Sequence, residues 1–193
     1  MFEGVPLLAF ALLRAATGDG NVPSLAHALF TSLVSLVHLP RILDDDVSGA
    51  SRWGYVCAMV TGQYMVYDLI NVTHRSYYVH HGLAILACGY VVVTDRFSKL
   101  VLFVEANEVS TVFLATAYLG VWPRVSQCAF VVSFFLCRVV WLAWILRHKR
   151  IGDAFLTAAM CVHYVINVYW FGKILGKGAR NLRKARRRNV IGE

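Results

Sequence analysis

The stretch QCAFVVSFFLCRVVWLAWIL, residues 127–146, decides the fold class. It is a continuous apolar run carrying one full charge, Arg138, near its middle. A helix needs about 20 such residues to cross a hydrocarbon core ~30 Å thick. A barrel strand would be shorter and would alternate apolar with polar residues. Residues 127–146 therefore read as a transmembrane helix with a buried arginine.

Runs of similar length recur on both sides of it. They cover residues 22–39, ended by Pro40 and the acidic loop Asp44-Asp45-Asp46, then 53–72, and then 77–94, ended by Asp95-Arg96. Residues 99–121 follow, ended by Trp122-Pro123, and the last run is 153–175. The expected fold is an all-α polytopic membrane bundle of six transmembrane helices around a polar cavity. A seventh helix is possible because the N-terminus holds a short apolar stretch, residues 5–13. That stretch is too short to span comfortably, and Glu3 sits where a signal peptide would carry basic residues, so an interfacial segment or an additional helix is expected. The organisation drawn is a short N-terminal segment over 1–20, a transmembrane domain over 21–176 and a basic tail over 177–193.

Composition agrees with a membrane protein. Hydrophobic residues make up 58% of the 193 and charged residues 16%, against roughly 45–50% and about 25% in soluble domains. The net charge of +8 is concentrated near the C-terminus, where residues 173–188 hold eight Lys or Arg and no acid. Such a run beside a membrane helix reads as a solvated tail within reach of anionic headgroups. Without interleaved aromatics it does not read as a nucleic-acid arm. The tail also places the C-terminus in the cytoplasm by the positive-inside rule, although Arg147-His148-Lys149-Arg150 then faces the opposite compartment. The cysteines stand singly in apolar runs with no metal-ligand or redox spacing. Asn71-Val72-Thr73 matches a glycosylation sequon by chance, being on the cytoplasmic side.

Charge at membrane depth is expensive, ~2.5–3.5 kcal/mol on insertion scales. Every expected span nevertheless carries a polar group. The first has His27, and the second Tyr64, Asp68 and Asn71, at i, i+4 and i+7, with Thr61 a turn earlier. The third has His80-His81, the fourth Glu105 and Glu108 at i, i+3, the fifth Arg138, and the sixth His163 and Asn167 at i, i+4. Helical spacing places each set on one face. Facing inward, they enclose a polar cavity in which Arg138 and protonated histidine balance the carboxylates, a setting suited to proton transfer. Adjacent helical residues diverge by about 100°, so one histidine of the pair can face the cavity while the other holds a neighbour. Helix cross-linking by hydrogen bonds is the alternative use of the same groups.

These motifs together resemble the TLC-domain family, which includes the ceramide synthases and smaller lipid-homeostasis proteins. The resemblance runs from about residue 22 to 175 through SLAHALFTSLVSL (His27), GQYMVYDLINV (Asp68), YYVHHGLAIL (His80, His81), EANEVSTVFL (Glu108, Ser110, Phe113, Leu114), FFLCRVV (Arg138) and VINVYWFGKIL (Asn167). The order of the set is more specific than any single motif. The resemblance implies a helix bundle around a cavity open to lipid, in an internal membrane such as the endoplasmic reticulum. In the synthases, the histidine pair and an Asp-x-x-Asp segment serve acyl transfer from acyl-CoA. Here Glu105-x-x-Glu108 replaces that segment, each side chain one methylene longer, which brings the chain nearer the smaller members.

The expected function is therefore lipid homeostasis by binding or sensing lipid, with His27, Tyr64, Arg138, His163 and Asn167 lining the lipid site. The alternative is a ceramide-synthase-type acyltransferase using His80, His81, Asp68, Glu105 and Glu108, with acyl-CoA as substrate. No metal and no cofactor are expected. The expected partners are membrane lipids, with oligomerisation open. A haem protein, a di-iron oxygenase and a transporter fit less well, since the seven histidines are too few for iron boxes and no internal repeat is visible.

Overall fold

The computed structural model describes residues 5–44, 46–71 and 75–191. Val72 and Thr73 of the sequon and the neighbouring His74 lie outside that set. The described residues contain helices and no strand. In chain order they are α1 (Val5–Thr17), α2 (Asn21–Ile42), α3 (Arg52–Leu69), α4 (Arg75–Thr94), α5 (Ser98–Glu105), α6 (Glu108–Tyr118), α7 (Pro123–Ser133), α8 (Trp141–His148) and α9 (Ala154–Ile191). A π-helical segment, Phe134–Val140, joins α7 to α8.

Among the described residues, four stretches are long and apolar enough to cross a membrane: α2, α4 from Tyr77, the continuous 123–148 unit and the first part of α9. Counting α5 and α6 as one broken span makes five. The outer surface fits that environment, with Leu33, Leu86, Val93, Val132 and Val165 all more than half exposed. Large apolar side chains this exposed along several helices mark a surface facing lipid rather than water.

The helices depart from the expected spans in four places. Pro40 does not end the first, and α2 continues through it to Ile42. A proline this close to a helix end forfeits only one backbone bond of the last turns. The fourth span is broken between Glu105 and Glu108, where α5 and α6 meet at 41°. The two glutamates therefore end one helix and begin the next instead of sharing a face. The fifth span is interrupted by the π segment, which contains Arg138. The sixth runs on as helix through the basic tail to Ile191.

Close backbone approach sets the bundle's frame. Ser51 caps α3 by accepting from the Gly54 N–H, and its own N–H donates to Ser98 Oγ at 2.6 Å. A Cβ on Gly54 would sit 1.8 Å from the Ser98 carbonyl oxygen, so only glycine lets α3 and α5 meet there. Ser35 Oγ donates to the Leu102 carbonyl at 2.5 Å, tying α2 to α5. Trp141 Nε1 donates to the Phe103 carbonyl at 2.8 Å, tying α8 to the same helix. Phe103 and Leu102 are fully buried, so α5 is the centre around which the others pack.

Candidate functional site

Two polar clusters lie inside the bundle. The first forms around Arg138. Its Nε donates to Ser110 Oγ at 2.7 Å, and its Nη2 donates to Glu108 Oε1 at 2.9 Å and Thr111 Oγ1 at 2.8 Å. Its Nη1 reaches Asn167 Oδ1 at 3.4 Å, and the guanidinium lies 5.5 Å from the centre of the Phe134 ring. Asn167 in turn donates to the His163 carbonyl at 2.8 Å. A π segment widens the helix by one residue per turn and re-aims its side chains. Here it presents Arg138 to α6 and α9 together.

The second cluster forms around Glu105 and the histidines. Thr61 on α3 donates to Glu105 Oε1 at 2.6 Å, and His27 Nε2 on α2 lies 3.0 Å from Thr61 Oγ1. The His27 ring stacks on Tyr64 with centroids 4.1 Å apart. Phe10 of α1 caps the same rings, 5.3 Å from Tyr64 and 6.3 Å from His27. Arg14, one turn further along α1, donates to Asn71 Oδ1.

His80 and His81 separate as adjacent helical residues must. His81 Nε2 lies 3.4 Å from Asp68 Oδ2. His80 turns to α9 and stacks on His163, centroids 5.1 Å apart, with Trp170 edge-on at 5.2 Å. His80 and His163, but not His81, line a cavity of about 100 Å³ between α3, α4, α5, α6 and α9.

That cavity has two ends. Thr61, Glu105, Asn107, Glu108, His80 and His163 supply its polar lining. Leu83, Ala87 and Val91 continue along α4, Leu100 and Val101 along α5, and Leu156 and Ala159 along α9. Tyr90 OH donates to Asp153 Oδ2 at 2.7 Å, and the Tyr90 ring faces Phe97 at 6.5 Å. Those contacts gather the apolar ends of the three helices, away from the histidines.

The polar end holds buried atoms with no hydrogen-bond partner: both amide atoms of Asn107, Glu105 Oε2, His80 Nδ1 and His163 Nε2. Asn107 is 1% exposed. A buried polar group left unpaired costs about 1–3 kcal/mol, and native interiors hold few of them. Their concentration at one end of the cavity marks a place where a ligand's polar atoms fit.

All ten candidate residues sit in or beside these clusters, though in different company. Arg138, Glu108 and Asn167 bond to one another. Glu105 joins His27 through Thr61, and Asp68 pairs with His81. Asn107 was not singled out from the sequence; a polar residue in an apolar run, between two acids, was its signal. Nothing in the sequence marked Phe10 as the residue of α1 that seats against Tyr64. Among the described residues, no group of three or more His, Cys, Asp or Glu side chains could hold a metal ion.

The chain is similar to TLC domain-containing protein 1 of Gallus gallus, 27% identical over 176 residues, which cover 79% of this chain and 70% of that protein. That likeness supports the resemblance to the TLC-domain family read from the motifs. No family model matches it, and no solved structure does. The region of the TLC motifs contains both polar clusters and the cavity between them.

Proposed function

We propose that this TLC-like protein acts in lipid homeostasis by holding a membrane lipid in the cavity between α3, α4, α5, α6 and α9. The observation that carries the reading is the cavity's two-ended lining. An acyl chain matches the wall of Leu83, Ala87, Val91, Leu100 and Leu156, and a polar head matches the unpartnered atoms of Asn107, Glu105, His80 and His163. Native mass spectrometry of the full chain released from detergent tests it. Wild type should carry one lipid, and Ala87→Phe, which fills the apolar end, should lose it while keeping its helical circular dichroism. Wild type free of lipid, or unchanged occupancy in a folded Ala87→Phe, would sink the proposal.

A second reading, acyl transfer from acyl-CoA, is favoured by one arrangement. His81 is held by the Asp68 carboxylate, and His80 beside it faces the cavity. An imidazole with an orienting carboxylate is the usual pairing for a general base, and Glu105 and Glu108 stand at the same cavity. A covalent acyl adduct on His80 or His81 after incubation with acyl-CoA would support transfer. Product formed at an unchanged rate by His81→Ala would exclude it.

The finer topology belongs to the same proposal. α3 crosses as a sixth span, since its 18 residues reach ~27 Å at 1.5 Å each. Its low hydropathy comes from Thr61, Tyr64 and Asp68, which engage other helices instead of lipid. α1, with 13 residues, is too short to span, and lies against α2 and α3. With six crossings both termini face the cytoplasm. The basic end of α9 then meets anionic headgroups, in the endoplasmic reticulum membrane. Protease protection of a C-terminal tag in sealed microsomes checks the orientation.

A further inference from the structure

His27, Thr61 and Glu105 form a chain of hydrogen bonds whose two ends are both open. His27 Nε2 lies 3.0 Å from Thr61 Oγ1, and Thr61 Oγ1 lies 2.6 Å from Glu105 Oε1. At one end His27 Nδ1 is buried without a partner, and at the other so is Glu105 Oε2. Thr61 and Glu105 line the cavity, whereas His27 lies outside it, against Phe10 and Tyr64. The chain thus connects the aromatic slot under α1 to the cavity's polar end.

A threonine hydroxyl has one proton to give, and that fixes the direction of the whole chain. When Glu105 is a carboxylate, Thr61 donates to it, so His27 must donate to Thr61 from Nε2, and Nδ1 is a bare acceptor. When Glu105 is a carboxylic acid donating to Thr61, the hydroxyl turns to His27 Nε2, and the imidazole proton must sit on Nδ1. The first arrangement becomes the second by uptake of one proton at Nδ1. The Nε2 proton passes to Thr61, the Thr61 proton passes to Glu105, and histidine is neutral before and after. Thr31 does not compete for the imidazole, because its hydroxyl donates to the His27 carbonyl at 3.1 Å.

We infer that His27–Thr61–Glu105 is a proton relay that loads and unloads the cavity's polar end from the slot beneath α1. It goes beyond lipid binding. The ligands it serves are lipids whose polar end gains or loses a proton, such as a hydroxyl, an amine or a carboxyl. The titratable and charged groups facing the relay are Tyr64 and Cys57 from α3, His81 and Cys88 from α4, Glu108 from α6 and Arg138 from the π segment. His80 and His163 share the cavity with Glu105.

The test is a pH titration of the full chain in lipid nanodiscs with ¹⁵N-labelled histidine. The His27 signal is assigned by its loss in His27→Asn, and the Glu105 carboxylic-acid infrared band by its loss in Glu105→Gln. The expected result is a single step in which the acid band appears and His27 changes from the Nε2–H to the Nδ1–H tautomer. Thr61→Val should abolish the tautomer change while Glu105 still titrates, and Thr61→Ser should restore it. Conversion of His27 to imidazolium in that step would overturn the relay, as would a fixed tautomer while Glu105 titrates. So would a tautomer change that survives Thr61→Val. The wild-type titration decides by itself if a variant fails to fold.

Discussion

The two polar clusters differ in how completely their hydrogen bonds are made. Around Arg138, the Nε, Nη1 and Nη2 atoms all donate to protein oxygens. Around Glu105, the carboxylate, the imidazoles of His27, His80 and His163, and the Asn107 amide each keep at least one buried atom unpaired. The same membrane that makes the first cluster adhesive makes the second receptive. A network in which every guanidinium nitrogen is engaged holds α6, the π segment and α9 together. An open one costs stability until something polar enters it.

The largest expected effect tests the closed side. Arg138→Met leaves the Glu108 carboxylate buried without its partner, and breaking a buried pair this way costs about 3–5 kcal/mol. The variant should aggregate or lose its cooperative thermal transition in detergent. A transition near the wild-type temperature would show that the cluster does not hold the bundle. Replacing both partners, as in Arg138→Met with Glu108→Leu, should recover much of the loss, since no charge is then left alone.

Gly54→Ala strikes the frame of the open side without touching its polar atoms. The added methyl meets the Ser98 carbonyl, so α5 must move away from α3. Overpacking of this kind costs about 1–3 kcal/mol. The shift should also lengthen the Thr61–Glu105 bond. Lower thermal stability together with reduced lipid occupancy is the expected pair of readings. Lost stability with normal occupancy would separate the helix crossing from the site.

Asn107→Leu reverses the sign. It removes two unpartnered buried atoms at similar size, and the lipid-free protein should become more stable by about 1 kcal/mol. Bound lipid should fall at the same time. A destabilised variant would mean that Asn107 bonds to the protein rather than to a ligand. Arg138 and Asn107 thus give opposite stability changes if the comparison holds.

The smallest effect lies outside both clusters. Asp153 caps α9 by accepting from the Leu156 N–H at 2.9 Å. That backbone bond, with the Tyr90 hydroxyl second, holds its carboxyl below the usual aspartate range. A depressed native value contributes stability above the unfolded-state value, near pH ~4, and loses it as the pH falls further. Asp153→Asn should therefore lower the unfolding temperature slightly at pH 7 and by less at pH 3. An equal drop at both would assign the effect to packing.

Much of this site was legible in the sequence because polar residues inside apolar runs are conspicuous. His27, Asp68, His80, His81, Glu105, Glu108, Arg138, His163 and Asn167 stand out on that ground alone. Their partners were not legible. The pattern suited Arg138 to all three carboxylates, and the bundle gives it Glu108. Helical spacing put Glu105 and Glu108 on one face, and the break between α5 and α6 sends them to different clusters. Neither that break nor the π segment carries a glycine or proline to announce it.

By itself, the sequence determined that the chain is helical, that it belongs in a membrane and which side chains must avoid lipid. Those properties follow from the length and composition of single segments, since a membrane leaves each backbone few alternatives. Only the tertiary structure decided which polar atoms were closed off and which were left open. That outcome depends on where α5 ends, how the π segment turns Arg138 and how near α3 comes to α5. A hydrogen bond depends on distances of tenths of an ångström, and packing between helices, not the periodicity within one, sets them.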